Sequence, residues 1–229
     1  MKNLIFDIEA DGLTPSKIWC IVAKDLDSNT VYEYGPDKLE EGIELLRNAE
    51  TLVGHNIIGY DIPVIEKLHK IKLTSNVIDT LVLSRLFQPV RENGHSLRTW
   101  GYRIGVHKQV QPDDFDCYTP EMLSYCRQDV LLNEQVYLKL LEEGRGFNQE
   151  SIDLETNVAK IMHEQEQTGF LFDIEKASML LAKLKTRMVE VEDEVQRTFK
   201  PKWVDDKLVT PYIKKNGELS KRGLTDEEY

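Results

Sequence analysis

Cysteine, basic charge and long apolar runs are all scarce in this chain, and each shortage excludes a class of protein. The three cysteines, Cys20, Cys117 and Cys126, are an odd number without C-x-x-C spacing, so neither a disulfide framework nor a cysteine zinc site is expected. Histidine is nearly as rare, with five residues, and no His/Cys cluster forms. No stretch approaches the roughly 20 apolar residues of a membrane span. The apolar run in the opening MKNLIFDIE is too short for a signal peptide. A cytosolic protein with no membrane partner is therefore expected. Basic residues number 29 against 40 acids, a net charge of −11, where a nucleic-acid binder usually shows a basic face. Either the ligand is not nucleic acid, or metal ions offset the acidic charge where contact is made. Local basic clusters remain at Lys67, Lys70 and Lys72, at Arg98 and Arg103, and at Lys214, Lys215, Lys221 and Arg222. Each reads either as a solvated face or as a track for DNA.

What is present is an ordinary globular balance, with 41% hydrophobic and 30% charged residues over 229 positions. That is enough for one large domain, or one domain and an appendage. In residues 3–9, Leu4, Phe6 and Ile8 alternate with Ile5, Asp7 and Glu9, the period of a strand. Short strands are predicted at 18–23, 30–34, 51–54 and around Val77–Ile78. Helices are predicted at 39–47, 60–69, in the DTLVLSRLF segment from Asp79, and at 96–102. Thr119-Pro120-Glu121 has the chemistry of a helix start, and the helix should run to about Leu141 before Gly144 and Gly146. Strands first, then strands alternating with helices, make residues 1–147 an α/β domain.

Beyond residue 150 the pattern is helical. One helix is predicted from Glu150 to Gln167. After Asp173, an N-cap residue, Ala177, Leu181, Leu184, Met188, Val191 and Val195 recur at near-heptad spacing. That second helix of about 25 residues would span roughly 38 Å. It reads as half of an antiparallel helix pair or as a dimerising coiled coil. Residues 200–229 are polar without a period and read as an extended or poorly ordered tail.

Three short elements carry chemistry. Asp7 and Glu9 lie on the same face of their strand, where two like charges repel unless a cation compensates; alone, they could equally be exposed acids at a strand end. Asn56-Ile57-Ile58-Gly59-Tyr60-Asp61 follows an apolar strand and places an acid at a helix N-terminus, which the helix dipole alone would explain. Tyr125 and Asp129 stand one helical turn apart. Taken together, four carboxylates are hard oxygen ligands suited to Mg²⁺ or Mn²⁺. Two such cations about 4 Å apart can align an attacking water, a scissile phosphate and a leaving 3′ oxygen. Tyr125 is then placed to orient the water.

In order and spacing these elements resemble the Exo I, Exo II and Exo III motifs of DEDDy 3′→5′ exonucleases: Asp7 and Glu9 match the first, Asp61 the second, and Tyr125 with Asp129 the third. The stretches IDTLVLSR from Ile78 and HSLRTWGYR from His95 resemble the family A DNA polymerases of T-seven-like bacteriophages. Glu166 to Asp173 resembles the entry into the thumb of such a polymerase. The resemblance covers about residues 1–199. It implies a ribonuclease H-like mixed sheet flanked by helices over 1–147, a thumb-like helical segment over 150–199, and a truncated thumb or disordered tail over 200–229. It also implies two divalent cations held by Asp7, Glu9, Asp61 and Asp129, with Tyr125 the fifth catalytic residue.

The implied reaction is proofreading hydrolysis of single-stranded or frayed DNA 3′ ends, releasing nucleoside 5′-monophosphates during phage DNA replication. Leu13 matches a position that wedges against the terminal base, or is an ordinary loop or core leucine. Asn56, Tyr60 and His95 are candidate substrate contacts, and Asp79 is expected behind the metals rather than on them. The palm and fingers of such polymerases have no counterpart in these residues. The chain thus reads as a truncated piece or as one product of a split polymerase gene, with a separate polymerase chain and other replisome proteins as partners. A ribonuclease-D-like RNA 3′ exonuclease and a non-catalytic partner module are the alternatives.

Overall fold

The computed structural model describes residues 2–106 and 115–200. The basic group at Lys214–Arg222 and the tail from 201 onward lie outside them. The described residues divide into two compact units, one ending at Gly169 and the other beginning at Phe170.

The first unit is built on a five-stranded mixed sheet in the order β3-β2-β1-β4-β5. Its strands are β1 (Lys2–Ala10), β2 (Ile18–Asp25), β3 (Val31–Tyr34), β4 (Ala49–Gly54) and β5 (Asn76–Asp79). The three-stranded meander is antiparallel, with Asp7 opposite Val22 and Glu9 opposite Cys20. β4 and β5 add to β1 in parallel, pairing Leu4 with Leu52 and Leu52 with Val77. β1 is thus the central strand, and its alternation separates two cores. Leu4, Phe6 and Ile8 pack with Ile43 and Leu46 of α1 (Leu39–Arg47) and Ile65 of α2 (Asp61–His69). On the other face Ile5 packs with Cys20, Val22 and Val53, and with Cys126 and Val130 of α5 (Pro120–Glu143). Each fully buried aliphatic side chain contributes roughly 1.5–3 kcal/mol, so a slip of one residue in β1 would forfeit both cores at once.

A third cluster joins α5 to α3 (Thr80–Phe87) and α4 (Leu97–Ile104) through Leu83, Trp100, Leu132, Val136 and Leu140. Trp100 lies under two guanidinium groups, Arg91 at 4.4 Å and Arg103 at 5.3 Å from the ring centre. Arg91 pairs with Glu143 at 2.5 Å, and Arg103 donates to the carbonyls of Glu92 and Gly94, so the loop before α4 is tied down. The basic residues Arg103 and Lys72 therefore have internal duties, the latter bonding Glu66 at 2.5 Å.

α5 starts as its sequence predicts, with the Thr119 hydroxyl accepting from the Met122 amide and Pro120 in the first turn. Its buried positions Met122, Tyr125, Cys126, Asp129, Asn133, Val136 and Leu140 form one stripe, so Tyr125 and Asp129 sit on the inward face. α6 (Gln149–Thr168) completes the first unit. In the second, α7 (Ile174–Thr198) is capped by the Asp173 carboxylate, which accepts from the Lys176 amide. No helix among the described residues is long and apolar enough to cross a membrane.

Candidate active site

Asp7 and Glu9 project from the face of β1 that looks toward α5, each half-buried. One carboxylate oxygen from each and the Cys126 sulfur lie within 4.8 Å of one another. The Cys126 thiol donates to the Asp7 carbonyl at 3.3 Å. Burial, followed by contact with Cys20 and the charges of Asp7 and Glu9, pushes this thiol's pKa up. Its proton is engaged with the Asp7 carbonyl, and thiolate sulfur is a soft donor that hard divalent ions disfavour. The donors left to a cation are carboxylate oxygens, which fit a hard divalent ion.

Asp61 enters from the other side of β1. It is the first residue of α2, but it caps nothing; the N-cap is Tyr60, without a side-chain bond. Instead its Oδ1 accepts from the backbone amide of Ile8 at 3.2 Å, the residue between Asp7 and Glu9. The helix-dipole explanation for this acid is therefore insufficient: its carboxylate is spent on β1. Burial, at 3% exposure, pushes its pKa up to about 7, aided by the charge of Asp79 and opposed by the amides of Asp61 and Ile8. A buried acid facing the charge of a second one is a standing electrostatic cost that a nearby cation would lower.

Tyr125 and Asp129 are both buried on the α5 stripe. The Cys126 bond to Asp7 fixes that part of the helix against β1.

The loop from β4 to α2 depends on Gly54. A Cβ there would meet the Ile57 side chain at 2.2 Å and the Phe6 carbonyl at 3.1 Å, so only glycine lets the loop turn this close to β1. Asn56 is exposed with φ at +65°, a left-handed conformation asparagine tolerates. The Tyr60 hydroxyl donates to the Gly12 carbonyl at 2.6 Å. Burial, then the charges of Asp61, Glu9, Asp11 and Asp7, raise the Tyr60 pKa to about 12, so these acids surround one phenol. Leu13 is 94% exposed, which rules out a core leucine.

The His95 ring has partners of its own. Its Nε2 lies 3.2 Å from the Pro89 carbonyl and its Nδ1 2.8 Å from the Ser84 hydroxyl, to which Trp100 also donates. Its ring ties α3 to the following loop.

Two residues near the site escaped notice or emphasis in the sequence. Asp11 accepts from the amides of Ser16 and Lys17 and from the Ser16 hydroxyl, and so closes the loop that presents Leu13; the Asp11-Gly12 pair was its only sequence signal. Asp79 accepts amides from a loop more than 20 residues away, for which no local signal exists.

A five-stranded mixed sheet in this order, with helices packed on both faces, is a ribonuclease H-like fold. The chain is also related in sequence to T-seven-like phage DNA polymerases. It is 27% identical, over 86% of its length, to the DNA-directed DNA polymerases of Escherichia phage T7 and Enterobacteria phage T3, and spans 37% of those relatives. No family model matches it. Among solved structures it resembles NrnC of Brucella melitensis bound to pGG, with a TM-score of 0.58 and 17% identity over 76% of this chain and 90% of that one. It also resembles RNase D of Escherichia coli, described as an exoribonuclease involved in structured RNA processing, at TM-score 0.55 and 15% identity over 71% of this chain and 45% of that one.

Proposed function

We propose that this chain is a metal-dependent 3′→5′ exonuclease acting on single-stranded or frayed DNA 3′ ends and releasing nucleoside 5′-monophosphates. We assign it the editing role of a phage family A polymerase. The observation that carries the reading is the Asp61 carboxylate on the Ile8 amide, which draws a third acid to the pair on β1.

In this reading Asp7, Glu9, Asp61 and Asp129 hold two divalent cations, Mg²⁺ or Mn²⁺. Once bound, the cations would supply Lewis-acid activation of the attacking water and charge neutralisation at the scissile phosphate. The protein's own part is placement. β1 presents Asp7 and Glu9, the Ile8 amide holds the Asp61 carboxylate, and α5 would bring Asp129 and Tyr125 from the face that Asp7 and Glu9 look toward. The Tyr125 hydroxyl orients the water for in-line attack. Leu13, on the loop that Asp11 and Tyr60 brace, meets the terminal base, and Asn56 meets the substrate backbone. Tyr60 acts through that loop, since its hydroxyl is held by Gly12. The site works in the cytoplasm beside a polymerase part, on the same or a separate chain, with other replisome proteins.

The test uses 5′-labelled single-stranded DNA and RNA of one sequence, with Mg²⁺ and with Mn²⁺. Stepwise shortening of the DNA from its 3′ end is expected. No shortening with either metal would overturn the reading, and faster loss of the RNA would select a ribonuclease-D-like enzyme instead. Tyr125→Phe should slow the step about 10²-fold, the lower range for a group that handles a proton, with metal binding unchanged. A variant as fast as wild type would remove Tyr125 from the chemistry.

A further inference from the structure

Asp79 ends β5 and caps α3, and a cap needs only one of its bonds. Its Oδ1 accepts from the Leu81 amide at 2.9 Å, as an N-cap should. The same oxygen also accepts from the Asn56 amide at 2.9 Å, and Oδ2 accepts from the Ile58 amide at 3.0 Å. The carboxylate is 2% exposed. It therefore ties the start of α3 to the loop between β4 and α2. The loop is held as well by its own turn, in which the amides of Gly59 and Tyr60 both donate to the Asn56 carbonyl at 3.0 Å, by the His55 ring 2.9 Å from the Thr80 hydroxyl, and by Ile57 buried in the core. Asp79 is what holds the amides on either side of Ile57. Directly after the turn comes Asp61, whose carboxylate reaches the Ile8 amide between Asp7 and Glu9. A continuous line of hydrogen bonds thus runs from Asp79 through the loop and Asp61 to β1.

The line opposes a force. Asp61 is buried and faces the like charge of Asp79, and both disfavour its ionised form where it stands, so the loop that carries it has to be held in against that cost. Three amide bonds to one buried carboxylate are stronger than neutral ones and hold it in. We propose that Asp79 is a positioning residue: by clamping the amides of Asn56 and Ile58 it keeps the Asp61 carboxylate beside Asp7 and Glu9 before any cation arrives. Asp79 touches neither substrate nor metal. The inference rests on the exonuclease reading for its consequence, but not for its geometry.

Asparagine is the discriminating replacement. Its shape is that of aspartate, but only one of its two ends accepts, so its NH₂ must face an amide N–H. In Asp79→Asn the Ile58 anchor is lost while the Leu81 cap survives. In the full chain, Mn²⁺ binding followed by electron paramagnetic resonance should require at least about tenfold more metal, the usual cost of losing a group that orients a ligand. The rate on single-stranded DNA at saturating Mg²⁺ should fall with KM for the oligonucleotide unchanged. A folded Asp79→Asn with Mn²⁺ affinity and rate within twofold of wild type overturns the proposal.

Should the variant fail to fold, hydrogen exchange in the wild type decides. The loop amides of Asn56 and Ile58 should be as protected as that of Leu81, and exchange at open-loop rates overturns the clamp. If wild type cleaves no oligonucleotide, the exonuclease reading falls, while a shift in Mn²⁺ affinity still supports the positioning role. A wild type that binds no Mn²⁺ sinks both.

Discussion

Asp7→Ala and Glu9→Ala are each expected to slow 3′-terminal hydrolysis by about 10³-fold or more while leaving the fold intact. The rate loss follows from the electrostatic work assigned to the site. A metal centre supplies several kcal/mol of charge stabilisation, and each tenfold in rate is about 1.4 kcal/mol. Loss of one of the carboxylates that would hold the cations therefore forfeits most of the acceleration. The intact fold follows from burial. Both acids are only half-buried, and the core contacts of β1 come from Leu4, Ile5, Phe6 and Ile8. Removing one of two adjacent like charges also relieves repulsion, so the melting temperature without metal should hold or rise. Single-turnover rates at saturating Mg²⁺, together with thermal melts in EDTA, measure both halves. A variant that keeps the wild-type rate would take that acid out of the metal set.

Asp61→Asn should separate activity from stability more sharply. Activity should disappear with the ligand. Stability should move the other way, with a sign set by the direction of the pKa shift. In the folded chain this carboxyl is raised from an ordinary 3.8 to about 7, chiefly by burial. A group raised on folding contributes stability that is fully present below its unfolded pKa and lost as pH rises through the folded one. The metal-free wild type should therefore weaken between about pH 4 and pH 7, by an amount on the order of 4 kcal/mol at the alkaline end. Asparagine keeps an oxygen for the Ile8 amide and carries no charge to bury. At pH 8 in EDTA the variant should melt above wild type, and near pH 4 the two should coincide. Mg²⁺ should raise the wild-type melting temperature and leave the variant's nearly unchanged. A gap between the two that is the same at pH 4 and pH 8 would show that burial of this charge is not the cause.

Local patterns were legible from the sequence alone. Alternation through residues 3–9 placed Leu4, Phe6 and Ile8 against one core and Ile5, Asp7 and Glu9 toward the other, as β1 shows. Thr119-Pro120 began α5 and the apolar repeat after Asp173 set α7 over Ile174–Thr198. Such features depend on neighbours within about four residues, through caps, helical spacing and the strand period, so a linear reading captures them. The order of three acidic motifs also singled out Asp7 and Glu9, whose carboxylates meet, and Asp61, which bonds the Ile8 amide between them.

Tertiary structure decided what those residues do with their polar atoms. Asp61 could have served its helix; the parallel pairing of β1 with β4 instead carries its carboxylate to Ile8, 53 positions away. Leu13 could have been core and is exposed. His95, a candidate for substrate, spends its ring on Ser84 and Pro89, while Tyr60 braces the Leu13 loop through Gly12. Asp79 read as an acid behind the metals, and only the fold shows it holding Asn56 and Ile58. The reason is common to all of them. A buried hydrogen-bonding group must find a partner, and which partner is near depends on strand order and helix packing, not on the residues beside it in the chain.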